Sequence, residues 1–223
     1  MGDDMSLFEL LKIETNNEEL YKTALTHTSY ANENNVISYE RLEYLGDAVL
    51  ELIMSDYLYN NTDYPEGVMT KTRAKYVCEE ALYEYCLKLG LNEYILLGHG
   101  EEENGGRLRK AIVADVFEAV IGAIYLDKGI EEAKRFINDN VIKVIENEDV
   151  DFNDYKSLLQ ELVQTDKRSL EYVVVSETGP AHNKEFEVIA KIDDIIYGRG
   201  IAHSKKEAEQ QAACDALKKA KHG

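Results

Sequence analysis

The chain has 223 residues, of which 44% are hydrophobic and 30% are charged, and its formal net charge at pH 7 is −18. This length fits one or two domains, and the composition excludes a disordered, fibrous or disulfide-rich protein. No apolar run reaches the length of about 18 residues that a membrane-spanning helix requires, so we expect no membrane partner.

The N-terminus and the cysteines indicate where the protein resides. The first residues, MGDDMSLFEL, are acidic and lack the charged and apolar regions of a signal peptide. Cys78, Cys86 and Cys214 have no metal-ligand spacing, and their odd number fits a reducing compartment. We therefore expect a cytoplasmic protein.

The acidic residues are concentrated in the first two thirds of the chain. Residues 154–223 contain 11 Lys and Arg against 12 Asp and Glu, a net charge of −1, which leaves 14 against 31, a net charge of −17, in residues 1–153. An acidic body suits the capture of cations but repels a polyanion. Any contact with nucleic acid is therefore expected from the second segment.

The first predicted elements are a helix within residues 5–30 and the cluster ALTHTSY at residues 24–30. His27 of this cluster is a candidate for catalysis. A lone histidine more often packs or orients backbone, so we interpret His27 as structural. Asn32 and Asn34 then predict a loop.

The segment ERLEYLGDAVLEL at residues 40–52 has the spacing of an amphipathic helix, which we expect to run from about Tyr39 to Tyr59. One face carries acidic side chains at intervals of three and four residues, namely Glu40, Glu43, Asp47 and Glu51. The other face is apolar and is predicted to point to the core, namely Leu42, Leu45, Val49, Leu52 and Ile53. Carboxylates at this spacing repel one another, and a hard divalent cation would reverse the sign of that interaction. The ordinary alternative is a solvated acidic face.

Gly46 lies in the middle of this predicted helix. A glycine there costs about 1 kcal/mol relative to alanine. A helix tolerates this cost mainly where another backbone must come close, so Gly46 indicates a tight packing position.

The chain then continues through predicted helices and loops. We expect a loop at 60–67, helices at about 69–76 and 78–90, a loop at 96–110, a long helix from 110 closed by Gly129, and a last helix at about 130–146. In the long helix, Asp115 and Glu118 are three residues apart on an otherwise apolar helix. Burying unpaired charge is costly, so a shared cation is a reasonable explanation, and a surface pair is the alternative.

The second segment has a different pattern. The acidic stretch at 146–153 predicts a linker. A helix at 155–164, strands at 172–175, 186–192 and 195–198, and a helix at 204–219 give the order α-β-β-β-α. Ser204 and Glu207 have the spacing of a capping box at the start of the last helix.

Two stretches resemble known families. ERLEYLGDAVLEL closely resembles the signature of the ribonuclease III family, whose members cut double-stranded RNA, and SKKEAEQQAA resembles the final helix of double-stranded-RNA-binding domains. The resemblance covers nearly the whole chain. It implies an all-α endonuclease domain at 1–145, the linker at 146–153 and a small α+β double-stranded-RNA-binding domain at 154–221.

The resemblance also implies roles for the acidic residues. Glu43 and Glu118 would bind Mg²⁺ directly, and Asp47 and Asp115 would complete its shell directly or through water, with Mn²⁺ as a substitute. Asp47 and Glu118 would thereby be catalytic, and Glu40 would assist RNA handling and cleavage at the rim. Glu51 has no implied role, and we interpret it as a surface residue.

For the partners, the resemblance implies a homodimer in which Tyr44 contacts the other subunit. The implied RNA contacts are Gln160, Gln164, His182, Lys205 and Lys206. The products would carry 5′-phosphate and 3′-hydroxyl ends with two-nucleotide 3′ overhangs, and the substrates would include ribosomal RNA precursors and some mRNAs. No glycine-rich phosphate motif is present, so we expect no nucleotide cofactor.

Two alternatives remain open at this point. The chain could be a non-catalytic double-stranded-RNA-binding protein with a decayed nuclease domain. It could also be a structural or regulatory dimer whose acidic face binds proteins. Decay usually removes an acidic residue, and all four candidate ligands are present, which favours the enzyme.

Overall fold

The structure, a computed structural model, describes residues 6–147, 155–165, 167–180 and 184–219. Backbone contacts divide the chain into two compact units. One unit comprises Met1–Tyr57 and Arg73–Glu148, and the other comprises Leu58–Thr72 and Asp149–Gly223, as far as these ranges are described. No described helix combines the length and the apolar character that crossing a membrane would require.

From Leu7 to Asn147 the described chain is helical. The helices are α1 (Leu7–Leu11), α2 (Glu18–Ala24), α3 (Thr28–Asn34), α4 (Glu40–Asn61), α5 (Glu66–Tyr76), α6 (Glu79–Leu89), α7 (His99–Glu103), α8 (Lys110–Lys128), α9 (Ile130–Ile137) and α10 (Lys143–Asn147). Short 3₁₀ turns lie at Leu91–Tyr94 and Gly106–Leu108, and a π-helical stretch, Asn138–Ile142, joins α9 to α10. The expected all-α first part is confirmed.

Helix α8 is the centre of the first unit and packs against α2, α6 and α9. Every residue from Ile112 to Ile124 is buried except Asp115 and Glu118, which are half-buried. A helix that is surrounded by protein is expected to be apolar on all sides. The two acidic residues are therefore exceptions that need a partner or a function.

Helix α4 has three faces rather than the two that we predicted. Val49 and Ile53 are buried as expected, and the acidic row lies along one edge of this buried face. Leu52, predicted to face the core, is instead 61% exposed, and Tyr44 is 82% exposed. The prediction for Leu52 was wrong because an apolar stripe in the sequence does not tell whether the core or another molecule covers it.

The segment predicted as a loop at 96–110 contains α7. The backbone N–H of His99 at its start donates to both carboxylate oxygens of Glu33, at 3.0 and 3.1 Å. The N–H of Gly98 donates to Ser29 Oγ at 2.8 Å. These contacts come from α3, far away in sequence, which explains why local spacing did not reveal the helix.

The last helix of the first unit also differs from its prediction. It is interrupted by the π-helical stretch and ends at Asn147, so residues 146 and 147, the first two of the predicted linker, continue the helix predicted at about 130–146. The hydroxyl of Tyr57 donates to Glu146 Oε1 at 2.8 Å, which ties this end to α4. The rest of the predicted linker, 148–153, lies outside the described residues.

The second unit has the predicted α-β-β-β-α order. In addition to the segment Leu58–Thr72, it contains α11 (Tyr155–Thr165), β1 (Leu170–Thr178), β2 (Glu185–Ile192), β3 (Ile195–Ala202) and α12 (Lys205–Lys219). The sheet is antiparallel in the order β1-β2-β3, and Val188 in the central strand pairs with Val174 and Gly200. The strands are longer than predicted. The prediction missed their ends because apolar and polar residues alternate less regularly there.

Helix α12 packs closely on the sheet through alanines. Its buried face consists of Ala208, Ala212, Ala213, Ala216 and Leu217. Leu159 and Val163 of α11, side chains of β2, and Tyr64 and Val68 of the segment Leu58–Thr72 belong to the same core. The tight packing fixes the start of α12, where Lys205 and Lys206 lie, relative to the sheet.

Candidate metal centre and nucleic-acid interface

Two glycines bring α4 and α8 into backbone contact. A Cβ atom placed on Gly46 would lie 1.8 Å from the carbonyl oxygen of Glu118, and one placed on Gly122 would lie 2.3 Å from that of Leu42. A side chain at either position would force the helices apart. The tight position indicated by Gly46 in the sequence is therefore present, and it sets the acidic row of α4 beside the two acids of α8.

Three of the four predicted metal ligands meet at this crossing. Glu43, Asp115 and Glu118 each offer a carboxylate oxygen, and these oxygens lie within 4.8 Å of one another. All three side chains are half-buried. Asp47, one turn after Glu43, is exposed and is not part of this group.

Asp47 and Glu40 nevertheless act on the group through their charges. Burial, followed by the charges of Asp47 and Glu43, raises the pKa of Glu118 to about 8. Burial, followed by the charges of Asp115, Glu40 and Asp47, also raises the pKa of Glu43. Glu40 itself is exposed and accepts a hydrogen bond from Ser38 Oγ at 2.8 Å. The acids therefore form one electrostatic unit, with Glu40 at its rim.

The residues of this site fit a hard divalent cation. The donors are carboxylate oxygens, which Mg²⁺ and Mn²⁺ both prefer over nitrogen or sulfur ligands. The pKa values of Glu43 and Glu118 are raised because burial disfavours their charged forms and because the neighbouring carboxylates repel one another. A cation held between these carboxylates would favour their ionised forms.

Tyr39 contributes to the site and was missed in the sequence. Its hydroxyl donates to Asp115 Oδ2 at 3.1 Å, and its ring packs against His27 with 5.8 Å between the ring centroids. Burial and the adjacent Asp115 raise the pKa of Tyr39, so the hydroxyl stays protonated and is the donor. Nothing in the sequence pairs residues so far apart, although Tyr39 directly precedes the signature segment.

His27 has the structural surroundings that we predicted for it. Its Nδ1 accepts from the backbone N–H of Ser29 at 3.2 Å and thereby caps α3. Burial lowers the pKa of His27, which keeps the ring neutral.

Two further residues near the acidic group were interpreted differently or not noticed. Glu79 at the start of α6 is exposed, and its charge adds to the raised pKa of Asp115, which results first from burial. Arg73, on α5, donates to Ser55 Oγ at 2.8 Å and lies 3.9 Å from Glu51. The acidic row of α4 thus ends at a positive charge.

The predicted RNA contacts of the second unit lie on two helices. Gln160 and Gln164 are exposed on α11, and Lys205 and Lys206 are exposed at the start of α12. The N–H of Glu207 donates to Ser204 Oγ at 3.2 Å, which is one half of the predicted capping box. His182 lies outside the described residues.

Lys205 is paired within the unit. Its Nζ atom lies 2.8 Å from a carboxylate oxygen of Glu177 and 5.3 Å from the ring centroid of Phe186. Lys184 Nζ lies 3.3 Å from the other oxygen of Glu177. Two lysines therefore converge on one carboxylate, at the end of β1.

Comparison with family models assigns both segments. Residues 17–145 match the Ribonuclease-III-like model, and residues 155–220 match the model of the double-stranded RNA binding motif. Residues 1–16, 146–154 and 221–223 lie outside both matched ranges.

Individual relatives agree with this assignment. Ribonuclease 3 of Syntrophomonas wolfei is 51% identical over 199 residues, which are 87% of this chain and 85% of that protein. Ribonuclease 3 of Listeria monocytogenes strain EGD-e is 47% identical over 222 residues, or 97% of each chain. A solved nuclease domain from Campylobacter jejuni is 39% identical, covers 60% of this chain and 95% of its own, and superposes with a TM-score of 0.56.

Proposed function

Because the chain belongs to the ribonuclease III family, we propose that it hydrolyses phosphodiester bonds of double-stranded RNA with the help of Mg²⁺. The observation that carries this proposal is the carboxylate group of Glu43, Asp115 and Glu118 at the glycine-mediated helix crossing. The nuclease domain would comprise residues 1–145 and the RNA-binding domain residues 154–221, joined by the linker at 146–153.

The acidic residues would have different roles at the cation. Glu43, Asp115 and Glu118 would hold it, and Asp47 would complete its shell directly or through water. A bound divalent cation in such a site supplies an activated water and stabilises charge on the attacking and leaving oxygens. Glu40, at the rim, would orient the RNA backbone. Mn²⁺ accepts the same oxygen ligands and would substitute for Mg²⁺.

The second unit would hold the duplex. A-form RNA hides its base edges in a deep major groove, so proteins recognise its minor groove, 2′-hydroxyls and phosphates. Gln160 and Gln164 would contact one minor groove, and His182 would reach the next. Lys205 and Lys206 would contact the phosphates between them, where the helix dipole of α12 adds to the attraction. This arrangement offsets the repulsion between RNA and the acidic first segment.

The exposed apolar face of α4 supports a homodimer. Tyr44 and Leu52 lie eight residues apart on α4 and are 82% and 61% exposed in the single chain, and exposed apolar patches mark interaction surfaces. The solved Campylobacter jejuni nuclease domain has a region described as involved in dimer formation. One site per subunit would cut one strand, which gives 5′-phosphate and 3′-hydroxyl ends with two-nucleotide 3′ overhangs.

The substrates would be ribosomal RNA precursors and some mRNAs in the cytoplasm. Hydrolysis by water needs no nucleotide cofactor. These assignments rest on the family and are tested by sequencing the ends of RNAs that accumulate when the protein is absent.

The central test is Glu118→Gln, which removes one carboxylate and keeps the shape of the side chain. We expect cleavage of a labelled RNA duplex in Mg²⁺ to fall by orders of magnitude while duplex binding remains as in the wild type. Glu131→Gln, an exposed glutamate of α9, is the matched control and should cut normally. Unchanged cleavage by Glu118→Gln would remove the carboxylate assignment, and a wild-type chain that binds but never cuts would favour the non-catalytic alternative.

A further inference from the structure

Tyr39 links the two helices that supply the acidic group. It is 3% exposed, and its carbonyl oxygen accepts from the backbone N–H of Glu43 at 3.0 Å, in the first turn of α4. Its hydroxyl donates to Asp115 Oδ2 on α8 at 3.1 Å. One residue thus bonds to the backbone of one acid of the group and to the carboxylate of another.

The position of Tyr39 is itself fixed from the ALTHTSY cluster. The N–H of Tyr39 donates to the carbonyl oxygen of Thr26 at 2.9 Å, and its ring packs against His27. The N–H of His27 donates to the carbonyl oxygen of Leu96 at 3.0 Å, which anchors the cluster to the rest of the unit. The tyrosine hydroxyl is therefore presented from a rigid support.

A hydrogen bond of this kind restricts how a carboxylate can rotate. The Tyr39 hydroxyl engages one oxygen of Asp115, so turning the carboxylate about its terminal bond breaks that contact. The other oxygen is thereby held in one direction. In metal sites, groups that hydrogen-bond to ligating carboxylates set their orientation and contribute to metal affinity.

We propose that Tyr39 is a positioning residue that orients Asp115 for the divalent cation. This inference rests on the proposed function of the acidic group. The competing explanation is that the hydrogen bond only satisfies a buried hydroxyl and stabilises the fold. The two explanations differ in what the loss of the hydroxyl does to cation binding.

The chain contains a matched control for this question. Tyr21 is fully buried in the same unit, and its hydroxyl donates to Asp127 Oδ2 at 2.9 Å, outside the acidic group. Tyr21→Phe and Tyr39→Phe therefore remove the same atom from the same kind of bond. Only Tyr39→Phe removes it from a residue of the acidic group.

The experiment measures Mn²⁺ and Mg²⁺ binding to the full chain without RNA, by titration calorimetry and by the electron paramagnetic resonance of free Mn²⁺. We expect Tyr39→Phe to raise the cation Kd by about 10–100-fold and Tyr21→Phe to leave it unchanged. Thermal unfolding in EDTA shows whether both variants fold and lose similar stability. The rise in Tm on adding cation should shrink only for Tyr39→Phe.

A second variant, His27→Asn, tests the proposal without changing Tyr39 itself. His27→Asn retains a side-chain acceptor that can cap α3 but removes the ring on which Tyr39 packs, so we expect a smaller increase in cation Kd. Wild-type cation affinity in both Tyr39→Phe and His27→Asn would overturn the proposal. So would an equal loss of affinity in Tyr21→Phe. Failure of the proposed function would look different, because the wild type would then bind no cation or Glu118→Gln would still cut.

Discussion

Gly46 lies so close to Glu118 that a single methyl group on it would be 1.8 Å from the carbonyl oxygen of that glutamate. The contact joins a backbone position of α4 to the residue with the most perturbed carboxyl group of the site. The spacing of the helices and the spacing of the carboxylates are therefore set by the same glycine. The contribution of the helix crossing and the contribution of the carboxylates can be separated only by variants that change one and leave the other intact.

Gly46→Ala should damage both stability and cleavage. The added methyl group must push α4 away from α8, and overpacking of this kind costs about 1–3 kcal/mol or more. Glu43 moves with α4, while Asp115 and Glu118 stay on α8, so cation affinity should fall as well. Urea unfolding and cation titration measure the two effects.

Gly67→Ala is the control for Gly46→Ala. Gly67 also lies in a helix, α5, but a Cβ atom there would meet nothing within 4 Å. Alanine is the better helix former, so this variant should be neutral or more stable by up to about 1 kcal/mol. Equal behaviour of the two variants would show that the close helix crossing does not exist in solution.

The pKa of Glu118 predicts a pH dependence of the cation-free protein. Its folded value of about 8 lies above the ordinary value of 4.5, so the folded state binds more protons than the unfolded state between these pH values. Stability therefore falls as the pH rises from about 4.5 to about 8. Thermal unfolding in EDTA across this range should show the decline, and it should be weaker in Glu118→Gln.

Cation binding should depend on pH in the opposite direction. Binding requires the ionised carboxylate, so a proton is released from Glu118 and the apparent Kd falls as the pH rises towards 8. Calorimetry in buffers of different ionisation enthalpy counts the released protons. A wild-type protein with no proton release at pH 7 would contradict the raised pKa.

The local features of the site could be predicted from the sequence. The acidic rows of α4 and α8 follow from intervals of three and four residues, and Gly46 marked the tight crossing because a glycine inside a helix needs a reason. The approach of Asp115 and Glu118 to Glu43 depends on the crossing itself. The sequence supported that approach only through the family resemblance.

Other features depended on contacts that spacing does not encode. The bond between Tyr39 and Asp115 joins residues 76 positions apart. Leu52 was assigned to the core because its side chain is apolar, and only the folded chain reveals that it is 61% exposed. Helix α7 depends on Glu33 as a partner from another element.

The exposed apolar face of α4 predicts a change of oligomeric state. Replacing Tyr44 and Leu52 together by serine removes large apolar side chains without touching the acidic row. Sedimentation of the double variant should give a monomer at concentrations where the wild type is a dimer. A double variant that remains dimeric would show that the interface lies elsewhere. The control is Leu126→Ser, which removes another exposed apolar side chain and should leave the oligomeric state unchanged.

The lysines at the start of α12 should determine RNA binding rather than chemistry. Replacing Lys205 and Lys206 by alanine should weaken duplex binding and its dependence on salt. The slope of log K against log salt concentration should decrease in magnitude by about 0.9 for each phosphate that the protein no longer neutralises. Cleavage at saturating RNA should change little. Lys191→Ala, on β2, controls for the loss of a lysine from the same unit and should leave the slope unchanged.

Glu177 should oppose RNA binding, because its carboxylate is paired with Lys205, which we propose to contact an RNA phosphate. Lys205 and Lys184 hold the pKa of Glu177 below its ordinary value, so the carboxylate is ionised at neutral pH and competes with RNA phosphate for the same ammonium groups. Glu177→Gln removes the competing charge and keeps the size of the side chain. Duplex affinity near physiological salt should then rise several-fold, and the salt slope should steepen by up to about 0.9 for each additional phosphate that the lysines neutralise.

The control for Glu177→Gln is Glu171→Gln, which removes the same charge from the other end of β1, where the side chain is also exposed. A general gain from lower negative charge would appear in both variants, whereas competition at Lys205 would appear only in Glu177→Gln. Weaker RNA binding by Glu177→Gln would mean that the carboxylate orients Lys205 for the phosphate. Filter binding of a duplex at several salt concentrations, in Ca²⁺ to prevent cleavage, distinguishes these outcomes. Competition gives a higher affinity and a steeper slope, whereas the loss of an orienting carboxylate gives a lower affinity and no steeper slope.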